Sequence, residues 1–157
     1  MAQYADIPGI AMQVSRDVVV ASIQVDLDDD VLARFRHDLL DRLHKTGSRG
    51  VFLDVSGLET LDSEELAALR RIIVMTELMG AESVLVGLRP GVVSALIEAG
   101  ADVDGLKAAI NLDAAFALLE PGPETDIEEE TPPVTAVDED GEDDVFSEIE
   151  AVPEADQ

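Results

Sequence analysis

The chain contains no cysteine. That excludes disulfides, thiolate metal sites and a cysteine nucleophile. It also lacks any apolar run near the about 18 residues that span a bilayer. Its first residues, Met-Ala-Gln-Tyr-Ala-Asp, have neither the basic start nor the apolar stretch of a signal peptide. These absences fit a soluble, cytoplasmic protein. No Gly-rich phosphate loop of the Walker type is present. Basic residues stop altogether at Lys107. The formal net charge is −25 over 157 residues, with 35 acids against 10 bases. Such an acidic surface repels phosphate backbones and anionic lipid, which argues against nucleic acid and membrane as partners.

What is present divides at about residue 120. Residues 8–119 alternate between strand-like and helix-like patterns. Residues 10–14 and 18–25 read as two strands, with Ser15-Arg16-Asp17 as a short turn. Asp28, Asp29 and Asp30 then suit the start of a helix. Val31, Leu32, Phe35, Leu39, Leu40 and Leu43 follow at helical spacing. Gly47 and Gly50 bracket its stop. Residues 51–55 form a short apolar run, read as a buried strand. A helix over 63–79 places Leu66, Leu69, Ile72, Ile73, Thr76 and Met79 on one face and stops at Gly80. Residues 83–87 read as another buried strand. Pro90 suits the first turn of a helix over 92–99 that ends at Gly100. Residues 106–110 suggest a final short strand, and 112–119 a last helix. The order β-β-α-β-α-β-α-β-α predicts a single α/β domain with a mostly parallel sheet. About 110 residues in this form bury a core without metal or disulfide help.

Residues 120–157 hold 16 of the acids, no base, and five of the seven prolines. This composition predicts a disordered acidic C-terminal tail. Within it, Val145, Phe146, Ile149 and Val152 would form one stripe if helical. They suit either a linear motif that folds on a partner or stray hydrophobes in a solubilising tail.

Candidate chemistry concentrates at Asp62-Ser63-Glu64-Glu65. Asp62 and Glu65 have capping-box spacing, so a plain helix cap is one reading. The other is a phosphorylation switch at Ser63, since helix N-termini tolerate phosphate well. Rival chemistries fit less well. Phe52-Leu-Asp-Val55 is like a receiver strand ending in an acceptor aspartate, Asp54, with Asp28 to Asp30 as the acidic metal pair. Neither Lys45 nor Lys107 stands where that chemistry needs a lysine. Asp26-x-Asp28-x-Asp30 begins like a calcium loop, but Val31 replaces the required glycine and His37 the final glutamate. A serine hydrolase needs a base beside Ser63, and the two histidines, His37 and His44, share one predicted helix seven residues apart. The residues thus point to a non-enzyme, with no cofactor and no metal.

Several stretches carry a family resemblance. They are Ser22-Ile-Gln-Val-Asp-Leu-Asp-Asp29, Asp38-Leu-Leu40, Lys45-Thr-Gly47, Asp62-Ser63, Met75-Thr-Glu-Leu-Met-Gly-Ala81, Gly87-Leu-Arg-Pro90 and Leu96-Ile-Glu-Ala-Gly100. Together with the element order they resemble the STAS domain family (sulfate transporter and anti-sigma factor antagonist). Within it they look most like the RsbS-type stressosome scaffolds. The resemblance implies a STAS domain over 8–119 and phosphorylation of Ser63 by an RsbT-type serine/threonine kinase, which then leaves the scaffold. It further implies sensor paralogues of RsbR type, self-association into a large assembly, a phosphatase that resets Ser63, and control of a sigma-factor pathway. A stand-alone anti-sigma factor antagonist that binds an anti-sigma kinase is the alternative it allows. Glu64 and Glu65 depart from the apolar or small residues often found after the family's serine.

Overall fold

Among the described residues five strands form one sheet whose spatial order follows chain order: β1 (Ala11–Ser15), β2 (Val18–Ser22), β3 (Gly50–Asp54), β4 (Glu82–Val86) and β5 (Ala108–Ala109). The computed structural model describes residues 6–119. The reading of 120–157 as a disordered tail, and of a motif at Val145 to Val152, lies outside the described residues. The β1–β2 pair is antiparallel and the other pairs are parallel. Arg16 and Asp17 make the hairpin turn with φ of 52° and 66°. Two left-handed residues in succession match the right-handed twist of the flanking strands.

The described residues also form four helices: α1 (Asp29–Thr46), α2 (Ser63–Leu78), α3 (Pro90–Glu98) and α4 (Leu112–Leu119). Each parallel crossover is right-handed by preference, and each here steps in the same direction across the sheet. That places α1, α2 and α3 on one face. Their residues Phe35, Leu39, Leu66, Leu69, Ile73, Val92 and Leu96 pack with Val19, Ala21, Val51, Leu53 and Leu85 of the strands. The other face belongs to α4. There Ala115, Phe116 and Leu119 cover Val18, Val20, Phe52, Val84 and Val86. Phe116 meets Phe52 edge-on, with ring centres 4.8 Å apart at 73°. This is a favoured aromatic geometry.

The expected element order holds, and so does the mixed, mostly parallel sheet. The ends differ in places. The second strand stops at Ser22 rather than at residue 25, because its partner β3 ends at Asp54, opposite Ser22. Beyond that pair only Ile23 N–H still reaches the Asp54 carbonyl, at 2.9 Å. The last strand shrinks to Ala108–Ala109 at the sheet edge. The third helix opens on Pro90 itself, not on Val92. Met79 is 44% exposed and lies outside the buried face of α2. Gly47 stops α1, with φ 63° and its N–H on the Leu43 carbonyl. Gly50 has a different role from the predicted one. It is buried in β3, where a Cβ would lie 2.5 Å from Leu119 Cδ1 of α4. Its missing side chain makes room for the helix on the second face.

Candidate functional site

The start of α2 is positioned by an anchored loop. After β3, Asp54 Oδ1 accepts bonds from Ser56 N–H at 3.0 Å and Ser56 Oγ at 2.7 Å. Leu58 N–H closes a turn onto the Val55 carbonyl at 3.0 Å. Arg89, just before α3, donates from Nε to the Ser56 carbonyl at 3.0 Å. Gly87 has φ 81°, and a Cβ there would sit 2.8 Å from Ser56 Cβ. Glycine is therefore required twice over at that position, by conformation and by space. Leu58 and Leu61 are buried and anchor the loop in the larger core.

The helix then opens on a full capping box. Asp62 has extended backbone, φ −93° and ψ 175°, and its Oδ1 accepts from Glu65 N–H at 2.7 Å. Glu65 Oε2 accepts in return from Asp62 N–H at 2.8 Å. Leu61 and Leu66 occupy the positions of a hydrophobic staple around that box, and both are buried in one cluster. Ser63 is the first helical residue and is half-buried. Among the described residues its hydroxyl has no hydrogen-bond partner, and the amides of Ser63 and Glu64 have no acceptor. These are helix-end donors at the positive end of the dipole.

Ser63 borders a cleft of about 560 Å³ between the start of α2 and α3. Glu59, Thr60, Asp62 and Glu65 line one side, and Gly91, Val92, Ala95 and Ala99 the other. The α3 wall was not foreseen from sequence. Its signal is the spacing Gly91, Ala95, Ala99, small residues at i, i+4 and i+8 on one helix face. Small side chains keep that wall low, so the hydroxyl stays open to a visiting protein. Glu64 faces the other side of α2, where it lines a second cleft with Asp29 and Arg71. Of the predicted group, Asp62 and Glu65 border both clefts, whereas Ser63 lines only the first and Glu64 only the second.

The rival residues have structural employment. Asp54 fastens the Ser56 turn. Asp28 caps α1 by accepting from Val31 N–H at 2.9 Å. Lys45 pairs with Asp41 at 3.0 Å and Lys107 with Glu82 at 2.9 Å. His37 and His44 are both exposed on α1. Among the described residues no group of three or more His, Asp or Glu is placed to hold a metal ion. No helix among them is long and apolar enough to cross a membrane.

The STAS domain family model matches residues 9–107. RsbT co-antagonist protein RsbRD of Bacillus subtilis is 30% identical over 67 residues, 43% of this chain but only 24% of that protein. The chain therefore aligns with about a quarter of that relative's length. Two solved structures are similar over most of their own length. One is Moorella thermoacetica RsbS carrying a serine-to-glutamate substitution: 29% identity, TM-score 0.59, 69% of this chain and 92% of that one. The other was solved for the molecular architecture of the stressosome: 30% identity, TM-score 0.60, 69% of this chain and 94% of that one.

Proposed function

We propose, from the premise that the chain belongs to the STAS domain family, that it is a phosphoregulated scaffold of the stressosome type. It holds an RsbT-type serine/threonine switch kinase and releases it when that kinase phosphorylates Ser63. The freed kinase acts on a downstream stress-response pathway that controls a sigma factor. Sensor paralogues of RsbR type co-assemble with the scaffold, and a phosphatase resets Ser63. The scaffold itself performs no catalysis. Residues 8–119 are the assembly domain, and 120–157 are an acidic extension that assembly does not need.

The observation that carries this reading is the Ser63 hydroxyl, open and unpartnered among the described residues, on the first residue of a firmly capped helix. A kinase needs such a hydroxyl held still and reachable. The direction of the switch follows from charge. A phosphate adds about −1.5 to −2 beside Asp62, Glu64 and Glu65. The helix dipole offsets only about 0.3–1 kcal/mol of that. Like charges across a docked protein surface cost several kcal/mol. Phosphorylation therefore expels a partner rather than recruiting one. The kinship supports the same reading, since one relative is named a co-antagonist of RsbT and one similar structure comes from a stressosome.

Incubation with the switch kinase and ATP tests the proposal. Labelling stable to hydroxylamine and lost in Ser63→Ala is the expected result. Labelling that survives in Ser63→Ala, or that hydroxylamine removes as from an acyl phosphate on Asp54, sinks it.

A further inference from the structure

The basic side chains of the described residues are mostly occupied. Lys45, Arg70 and Lys107 pair with acids. Arg34 holds Asp38 and the Ile7 carbonyl, Arg49 the Leu119 carbonyl, and Arg89 the Ser56 carbonyl. Arg16 lies over the Phe116 ring. Arg36, Arg42 and Arg71 have no such partner among the described residues. In an acidic protein unpaired guanidiniums are unexpected, because carboxylates are abundant. Arg36 and Arg71 nonetheless line one groove, between α1 and α2. Leu32, Ala68 and Met75 contribute to the same groove. It runs on into the cleft of about 480 Å³ that carries Glu64, with Asp29, Leu32, Ala68 and Arg71 common to both.

From this placement we infer that the α1–α2 groove is the second half of the kinase footprint, taking a carboxylate-bearing segment of the kinase between Arg36 and Arg71. The inference rests on the reading of Ser63 as that kinase's substrate. Arg71 lies eight residues beyond Ser63 on the same helix, about 12 Å along its axis. A stable interface covers roughly 800 Å² per partner, or about 30 Å across. A protein that covers Ser63 and straddles the start of α2 therefore reaches the groove on the α1 side as well. The charge pattern also changes sign along the paired helices, acidic at Asp29 of α1 and Glu64 of α2 and basic at Arg36 of α1 and Arg71 of α2. A partner with the complementary order of basic and acidic groups docks in one orientation only, because reversal brings like charges together. The apolar groove residues supply area, and the arginines supply the bidentate carboxylate geometry that lysine lacks. After phosphorylation the added charge falls at the acidic end alone. The arginine end sets the register of docking, but its contacts alone do not hold the kinase once Ser63 is phosphorylated.

The test uses the full chain and the purified kinase. Both arginines are exposed, so R36E/R71E folds normally, as a thermal melt of the variant checks. The expected result is at least tenfold weaker kinase capture and a KM for Ser63 phosphorylation raised by a similar factor. The kcat stays within about twofold, because the acceptor is untouched. Arg42→Glu, the third unpaired arginine but outside the groove, leaves capture unchanged. Wild-type capture by R36E/R71E, with Ser63 still phosphorylated, overturns the inference and leaves the Ser63 reading intact. Loss of self-association with unchanged kinase capture assigns the groove to a second copy and also overturns it. Absence of Ser63 labelling in the wild type overturns the reading beneath it.

Discussion

The starts of α1 and α2 are near twins. Each has an aspartate N-cap with extended backbone, Asp28 or Asp62, and two acids in the first turn. Each aspartate accepts from the amide three residues on. The second helical residue is an acid in both, Asp30 and Glu64, and the other two differ in kind. The third helical residue is Val31 in α1, which returns no bond, and Glu65 in α2, which does. The first is Asp29 in α1 and Ser63 in α2. An acidic, capped helix start is thus an ordinary structural device in this protein, present where no switch is proposed. What distinguishes α2 is the hydroxyl, the reciprocal box that fixes it, and the low wall of α3 opposite.

The largest effect expected from this comparison is on partner binding. Ser63→Asp weakens kinase capture about a hundredfold, near 2.7 kcal/mol, measured by surface-immobilised kinase. Asp29→Ser gives α1 the same Asp-Ser opening, yet the kinase leaves it unlabelled in a Ser63→Ala background, since the cleft at residue 29 is walled by α2 and not by the small residues of α3. Labelling at residue 29 would reduce the site to its four-residue text. Next come the caps. Asp62→Ala lowers stability by about 1–2 kcal/mol and Asp28→Ala by about 1 kcal/mol, read from denaturant midpoints. Equal losses would mean that reciprocity at Glu65 adds nothing. Ser63→Ala changes stability by less than about 0.5 kcal/mol, because its hydroxyl holds nothing in the fold. A larger loss would reveal a structural role for the hydroxyl. Separately, removal of residues 121–157 leaves mixed particles with a sensor paralogue intact in size-exclusion chromatography.

Element order and most helix limits were legible because local signals carry them. Apolar periodicity marked α1 and α2, Gly47 marked a stop, and Asp62 with Glu65 spelled the box. The errors share one cause, that a neighbour decides. Where β2 ends depends on where β3 ends. Gly50 looked like punctuation because Leu119, the reason for its bareness, lies 69 residues away in sequence. Of the site, the serine and its acids were readable, whereas the α3 wall was not. Gly91, Ala95 and Ala99 acquire meaning only when packed beside α2. The pin from Arg89 to Ser56 likewise joins two loops that no spacing relates.

The one-directional strand order has a consequence in time. A chain emerging from the ribosome delivers α1, α2 and α3 to their face as each strand arrives. The opposite face of the sheet, with Phe52, Val84 and Val86, waits for α4. Until Leu119 seats over Gly50, the nascent protein presents a greasy half-sheet, the kind of surface that aggregates or attracts chaperones. The short helix α4 is therefore the latch of biogenesis, and its loss harms yield in the cell before it harms any signal.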